Sequence, residues 1–511
     1  MDKWTSGYVS EINYTYGYYS EMNPLLMKLI FLKKGIIFPE VGTACELGYG
    51  QGLSTNIHAA ASVTQWYGTD FNPSQAGFAQ EISSTYSSSA KLYDESFAEF
   101  CNRNDLPDFD FITLHGIWSW ISDENRKVIT KFIRKKLKVG GVLYISYNTL
   151  PGWAPFVPLR HLMKQHAVVN GTIGKGITAN IEEALKFTES LLSTNTKYSQ
   201  NNPNLEKRFD KVKQHNRNYL AHEYFNLDWC PMHFSTLAEW MEDTKLHYAC
   251  SANYHESIDS INLTVEQQEF LNKIPDQLFK ETTRDFIVNQ QFRKDYWIKG
   301  KRTLTIIEQI GLLKLQKIIL IKPVEEINLK IDSLVGEIEL NEKIYGSILE
   351  AIADYKIKTI HQVEYLIKKN EINFAQLIEA VIILVGAGHI GIANDEETIS
   401  KSKKQTDKLN KFLCKKAQIN TNINYLASPV LGGGYEVTRL EQLFINAIMN
   451  DLKKPSEWVQ ATWEILQKQG QKLQKQGKTI NTDEENIAEL NLQAKIFNDK
   501  KLSLIKALQI I

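Results

Sequence analysis

Between Thr43 and Ser54 the chain reads Thr-Ala-Cys-Glu-Leu-Gly-Tyr-Gly-Gln-Gly-Leu-Ser: an apolar run, a carboxylate at Glu46, and glycines at 48, 50 and 52. Glycines so spaced let a backbone take positive φ and come close to a ligand, which a Cβ would prevent. The run before them has strand character, and Leu53, Ile57, Ala60 and Ala61 give the residues after them one buried helical stripe. A strand, a glycine loop and a helix start, in that order, make a nucleoside-binding turn. A second carboxylate, Asp70, ends the next strand-like run in Tyr-Gly-Thr-Asp-Phe-Asn-Pro, where it is placed to bind ribose hydroxyls.

Glu46 decides what kind of nucleoside the loop suits. Beside a pyrophosphate a carboxylate is repelled; beside an ammonium it is attracted. S-adenosylmethionine has an ammonium, a sulfonium and a ribose and no phosphate, so Glu46 with Asp70 points to it. A competing segment, Gly386-Ala-Gly388-His-Ile-Gly391, matches the dinucleotide spacing. That fingerprint needs a strand before it and a helix after it. Here the preceding apolar residues continue a helical pattern from Phe374, and the Asn-Asp-Glu-Glu-Thr-Ile-Ser-Lys-Ser-Lys-Lys that follows offers no apolar face. The segment reads as a glycine-capped helix end.

The elements that position these groups come from an alternation of strand-like and helical runs. After a short helix capped by Asn23 and Pro24 come Ala44 to Leu47, then Leu53 to Ala61; Gln65 to Thr69, then Pro73 to Ser83; and Asp108 to His115. A helix follows from about Ser122 to Lys138, then a Gly140-Gly141 turn and Val142 to Tyr147. Such alternation predicts a parallel sheet with helices on both faces. Ligands in these sheets sit outside the carboxyl ends of the strands. The segments after the fourth and fifth strands, His115-Gly-Ile-Trp118-Ser-Trp120 and Tyr147-Asn-Thr-Leu-Pro-Gly-Trp153, are therefore expected to face the ligand. Their aromatics have two readings, pocket wall or core packing. His115 either handles an acceptor amine or is a satisfied structural histidine, and His222 and Glu223 rank behind it. Tyr14, Tyr16, Tyr18 and Tyr19 either pack the N-terminal arm or form a lid.

Glu46-Leu-Gly48-Tyr49-Gly50-Gln-Gly52 with Asp70 resembles the class I S-adenosylmethionine-dependent methyltransferases. Tyr14-Thr-Tyr16-Gly-Tyr18-Tyr19-Ser-Glu21-Met-Asn23-Pro24, Leu114-His115-Gly116 with Trp118 to Trp120, and Tyr147-Asn148 to Trp153 are similar to bacterial members that carry a methyltransferase regulatory domain. Within that group they resemble the rickettsial protein lysine methyltransferases that modify outer membrane protein B. The resemblance is carried by the part of the chain before residue 330. It implies an α/β fold with a Rossmann-like twisted sheet flanked by helices, a helical insertion and mainly helical C-terminal domains. It implies that Glu46, Gly48, Tyr49, Gly50 and Gly52 meet the methionyl end of the cofactor. Asp70, with Phe71 beside it, then holds the ribose; Glu95, Ser96 and Phe97 lie near the adenine; and Tyr16, His115 and Gly116 complete the cofactor site. His115, Trp118, Tyr147 and Trp153 become the catalytic pocket. The resemblance further implies S-adenosyl-L-homocysteine as product, no metal, a homodimer, and lysines of an unfolded outer membrane protein as acceptors.

A lysine acceptor must react as the neutral amine, which at pH 7 costs roughly 4–5 kcal/mol. A dry aromatic pocket beside a sulfonium lowers that cost by disfavouring the ammonium. Alignment of two bound reactants contributes about 7–11 kcal/mol. No short motif marks a lysine acceptor, so a small-molecule or RNA methyltransferase and a non-catalytic S-adenosylmethionine sensor stay open. The Asn/Asp-Pro-Pro-aromatic motif of adenine-amine and glutamine methyltransferases is missing from both aromatic segments, which disfavours nucleic acid.

Lys+Arg and Asp+Glu both total 59, so no charge excess points to nucleic acid or an anionic membrane. Five scattered cysteines fit neither a disulfide framework nor a zinc site. With no secretory h-region and no apolar run long enough for a bilayer, the expectation is a cytoplasmic protein. A chain of 511 residues exceeds one ordinary core. The expected division is a cofactor domain at 1–155, a helical insertion at 156–224, a return segment completing the first sheet at 225–258, a middle helical region at 259–330 and mainly helical C-terminal modules at 331–511.

Overall fold

The computed structural model describes residues 15–86, 90–171, 174, 176–333, 335–475 and 477–511. The N-terminal alternation is as the sequence implies: α1 (Pro24–Lys33), β1 (Thr43–Leu47), α2 (Leu53–Ala60), β2 (Gln65–Thr69), α3 (Pro73–Tyr86), β3 (Ala90–Tyr93), α4 (Phe97–Cys101), β4 (Phe109–Leu114), α5 (Asp123–Lys136) and β5 (Leu137–Asn148). Local signals set the helix starts. The Asn23 side chain accepts a hydrogen bond from the Leu25 N–H at 2.9 Å, with Pro24 at the first helical position, and Ser122 caps α5. These strands lie parallel in the order β3-β2-β1-β4-β5. The order reverses between β1 and β4, so the loops leaving their carboxyl ends diverge and open a crevice.

Gly140-Gly141 is no turn. β5 begins directly at Leu137, and the register slips so that Leu137 lies opposite Phe109 and Val142 opposite Phe111, leaving the glycines in an irregularity within the strand. The helical insertion follows as α6 (Val157–Asn170), α7 (Gly176–Leu192), α8 (Lys197–Asn201), α9 (Leu205–Gln214) and α10 (Arg217–Tyr224), packed around its own small core of Phe156, Met163, Ile181 and Phe209. Met232 makes a single bridge to Thr149 rather than a strand, and α11 (Phe234–Glu242) starts two residues later.

The sheet gains two more strands, β6 (Leu246–Ser251) and β7 (Phe292–Lys299), in the order β5-β7-β6 with β7 antiparallel to both neighbours. This corrects the helical expectation for residues 259–330: β7 lies inside that stretch, and so does β8 (Lys317–Leu320). The physical reason is that Phe-Arg-Lys-Asp-Tyr-Trp-Ile-Lys looks like a solvated helix face, yet its charges are paired inside. Arg293 donates to Asp295, Asp285 and Glu281, and Lys294 pairs with Glu21.

The C-terminal half is mainly helical, with a three-stranded sheet that includes β8 and the strand Ile390–Ile392, and a hairpin of Tyr425–Ser428 and Gly433–Glu436. Gly386 ends the helix Phe374–Gly386, so Gly386 to Gly391 forms a helix end followed by a strand. The Lys-rich stretch after Asn394 is a helix, Glu396–Lys416, which buries Ile399, Ser402, Thr406, Leu409 and Leu413 and packs on α2 and α3. One apolar cluster runs from Met22 through the first sheet to Ile510, joining the two halves.

Candidate active site

A cavity of about 280 Å³ lies at the carboxyl ends of β1, β2 and β4, where the strand order reverses. The glycine loop forms its floor. Gly48 has φ +78°, and a Cβ there would overlap Ile117 Cδ1; Gly52, the N-cap of α2, has φ +66°, and a Cβ there would run into Ala79 Cβ. Both positions need glycine twice over, for conformation and for closeness.

Glu46 is 2% exposed and accepts a hydrogen bond from the Thr55 hydroxyl. Burial pushes its carboxyl up to about 8, the Thr55 bond pulls the other way, and the nearby Asp70 charge adds to the rise. A carboxylate held this way gains most from a cationic ligand. Asp70 accepts from the Gly50 N–H at 2.8 Å and the Asn72 N–H at 3.0 Å, and burial raises it to about 6. The cradle at Gly48, the desolvated Glu46 and the oriented Asp70 fit the ammonium and ribose of S-adenosylmethionine. Of the other residues expected at the cofactor, Tyr49, Gly50, Phe71, Glu95, Ser96, Phe97, His115 and Gly116 also line the cavity. Glu95 is tied to Arg103 at 2.6 Å, and Ser96 caps α4 through a reciprocal pair with Glu99. The Tyr49 hydroxyl donates to the Tyr93 carbonyl at 2.7 Å.

His115 stands between two aromatic rings. It stacks on Tyr19 at 3.5 Å between centroids and shares a hydrogen bond with the Tyr144 hydroxyl at 2.8 Å. Burial drives its pKa down to about 4, against the pull of Glu21, so the imidazole is neutral at pH 7 and a poor proton acceptor. Tyr19 is desolvated in the same way, and its phenol is pushed well up by burial and by the charges of Glu46, Glu223 and Glu21.

Four expected site residues stand outside the cavity. Tyr16 packs its ring edge-on against Phe78 at 5.2 Å, while Thr15, Gly17 and Tyr19 of the same strap line the cavity. Trp118 is 0% exposed and packs on Trp240, because in the turn of 3-10 helix at 118–120 it points into the core and Trp120 into the cavity. Tyr147 is buried with its hydroxyl on Asp295 at 3.1 Å. Trp153 packs among Phe156, Tyr224 and Trp229 with the Arg208 guanidinium 4.1 Å above it. Of the N-terminal tyrosines, Tyr18 packs against His58 and Tyr425, and Tyr14 lies outside the described residues.

The sequence reading left part of the cavity out. Gln51, Gln75, Asn125, Asn226 and Asp228 line it though none is among the expected site residues, while Trp120 of the expected aromatic segment lines it too and the lesser candidates His222 and Glu223 form its far wall with Asn226 and Asp228, from the end of α10 and the loop after it. Nothing in the spacing of that loop marks it, because it approaches β1 only through the fold. Among the described residues no His, Cys, Asp and Glu grouping could hold a metal ion, and no helix is long and apolar enough to cross a membrane.

Residues 216–299 match the family model described as "predicted methyltransferase regulatory domain". In the structure that segment supplies both β6 and β7 and the far wall of the cavity. The Synechocystis protein sll1526 is 39% identical over 512 residues, covering 99% of both chains, and RP789 of Rickettsia prowazekii is 27% identical over 55% of this chain and 51% of its own length. Among solved structures, PKMT2 of Rickettsia typhi in complex with AdoHcy superposes with a TM-score of 0.69 at 20% identity, covering 97% of this chain and 99% of that one. Sheet order, glycine cradle, paired carboxylates and these relatives agree: the chain belongs to the class I S-adenosylmethionine-dependent methyltransferases that carry a methyltransferase regulatory domain.

Proposed function

We propose that the protein is a protein lysine N-methyltransferase. In this reading it acts as a cytoplasmic homodimer on lysines of an outer membrane protein, of the outer membrane protein B kind, presented unfolded before export. The observation that carries the acceptor assignment is the composition of the cavity beyond the glycine loop. A neutral His115, the Tyr19 and Trp120 rings and the far-wall carboxylates Glu223 and Asp228 make an aromatic slot with negative charge at one side, which suits an alkyl amine. The likeness to PKMT2 along nearly the whole chain supports the same reading.

S-adenosylmethionine supplies an activated methyl group for an in-line displacement at carbon. The chain's own residues do the rest. Glu46 holds the cationic end against the glycine loop, Asp70 holds the ribose, and the strap at 15–19 covers the bound reactants. Excluding water at Tyr19 and His115 favours the neutral amine over the ammonium.

The test is transfer of labelled methyl to an outer membrane passenger domain kept unfolded in dilute urea, with peptide mass spectrometry to locate the label. Label on lysine side chains supports the reading, and the mass shows how many methyl groups each carries. Label in RNA or a small molecule overturns it, and so does donor binding without transfer to any acceptor.

A further inference from the structure

Of the ionisable groups that line the cavity, most are already engaged. Glu46 takes the Thr55 hydroxyl, Asp70 takes two backbone N–H groups, Glu95 pairs with Arg103, and His115 is held neutral between Tyr19 and Tyr144. Glu223 differs. It sits in the last turn of α10, partly buried, and makes no hydrogen bond or ion pair among the described residues. Tyr19, which lines the cavity together with Glu46 and Glu223, feels the charges of both.

The charge that acts on Glu223 comes from Arg160 of α6, 5% exposed. Its guanidinium lies 4.5 Å from the Trp229 ring and 5.7 Å from the Trp120 ring, its Nη2 donates to the Asn226 carbonyl at 3.1 Å, and its Nε has no hydrogen-bond partner among the described residues. A buried cation clamped by two tryptophans is a fixed charge that can act on a neighbouring carboxylate without neutralising it.

We propose that the Glu223 carboxylate binds the acceptor ammonium and takes its proton, and that Arg160 is the positioning residue that keeps it ionised; this rests on the amine reading above. The charge that acts on Glu223 is that of Arg160 from α6, while the neutral phenols of Tyr19 from the strap and of Tyr219 and Tyr224 from its own helix feel the Glu223 charge and are raised by it. Burial raises Glu223 to about 7 and Arg160 pulls it back, which places it where a proton acceptor works best near neutral pH. In the step, one proton passes from the acceptor ammonium to Glu223. The freed nitrogen lone pair forms the N–C bond as the C–S bond breaks, and that electron pair stays on sulfur. The product leaves as a methylammonium, and Glu223 returns its proton to solvent.

The experiment compares wild type, Glu223→Gln, Glu223→Asp and Arg160→Gln on the same unfolded passenger domain, with donor affinity measured by calorimetry. Expected for Glu223→Gln is donor affinity within twofold of wild type and kcat at pH 7 lower by about 10²–10⁴-fold, the usual worth of a general base. Because free amine grows about tenfold per unit toward pH 10.4, that deficit shrinks by about as much per unit as pH rises, which a merely structural defect would not do. Glu223→Asp restores part of the rate. Arg160→Gln moves the acid limb of the kcat profile to higher pH, since losing the cation raises Glu223. A Glu223→Gln rate equal to wild type, or a deficit constant with pH, overturns this proposal while lysine methylation by wild type stands. Should Glu223→Gln not fold, an unmoved acid limb in Arg160→Gln overturns it. No lysine methylation by wild type overturns both readings together.

Discussion

Two walls of one cavity are built on different principles. The near wall comes from the ends of three adjacent parallel strands, β1, β2 and β4, whose loops carry Glu46, the glycines, Asp70 and His115. Backbone hydrogen bonds fix its geometry: the Gly50 N–H orients Asp70, and the Gly48 N–H donates to the Thr69 carbonyl at 2.8 Å. The far wall, His222 to Asp228, belongs to the regulatory-domain segment, and Arg160 of α6 ties it down by donating to the Asn226 carbonyl and lying 4.5 Å from the Trp229 ring. The lesson is that the nucleoside wall is a property of strand ends, and the far wall a property of tertiary packing.

The largest effect that separates fold from site concerns two tryptophans two residues apart. Trp118→Ala empties a fully buried site and is expected to cost about 3–5 kcal/mol of stability, read by denaturant unfolding. Trp120→Ala removes a cavity wall, so it should leave the unfolding midpoint nearly unchanged and lower methyl transfer instead. Equal destabilisation by both would break the division between core and wall.

Next in size is the glycine test. Gly48→Ala forces a side chain into φ +78° and against Ile117, so donor affinity should fall by about tenfold or more, the backbone conformation alone costing about 1–2 kcal/mol. Gly388→Ala imposes similar strain at φ +69°, with no atom within 4 Å of the new Cβ, in the segment that matches the dinucleotide spacing. Its donor affinity should equal wild type by calorimetry. A loss at Gly388 would mean that the loop at 386–391 serves a nucleoside after all.

The near wall was legible in the sequence because strand, loop and helix are contiguous and each residue's place at the cavity follows from its place in the turn. The sheet was legible as far as β5. β7 escaped because Arg293 and Asp295 are buried by pairing and Lys294 is half-buried against Glu21, so a strand presents the composition of a surface helix. The choice of Trp118, Tyr147 and Trp153 over Trp120 failed for a related reason: aromatic type and spacing say that a ring is present, while which way it turns depends on a 3-10 turn and on Asp295, 148 residues further on. Glu223 was visible only as a minor candidate, since its significance comes from Arg160 and Tyr19 meeting it in space.

A pH series sharpens the comparison on the near wall. Glu46 folds with its carboxyl raised from 4.5 to about 8, so between those values the ligand-free folded state keeps a proton that the unfolded state has released. Stability of the ligand-free protein should therefore fall as pH rises through that window, with Asp70, raised from 3.8 to about 6, contributing over the lower part. Donor binding needs Glu46 ionised, so affinity should rise with pH up to about 8 and then level, with proton release visible by calorimetry in buffers of different ionisation enthalpy. Glu46→Gln should flatten both curves and weaken donor binding by about tenfold, the scale of one hydrogen bond to a charged group. A pH-independent affinity in wild type would remove Glu46 from the cationic end of the ligand.

The smallest effect tests a residue that strand order puts near the cavity and packing takes away. Tyr147 is the penultimate residue of β5, yet its hydroxyl donates to Asp295 inside a buried group in which Arg293 also donates to Asp295 and Asp285 and lies 4.3 Å above the Phe234 ring. Asp285 and Asp295 are both raised by burial and pulled back by Arg293, so the hydroxyl helps to stabilise a charge that the sheet already encloses. Tyr147→Phe deletes one hydrogen bond and leaves Arg293 as the main partner, for a stability loss of about 0.5–1.5 kcal/mol. Methyl transfer and donor affinity should not change. A tenfold fall in kcat with stability intact would return Tyr147 to the active site, and the far wall would then extend through the sheet itself rather than ending at the regulatory-domain loop.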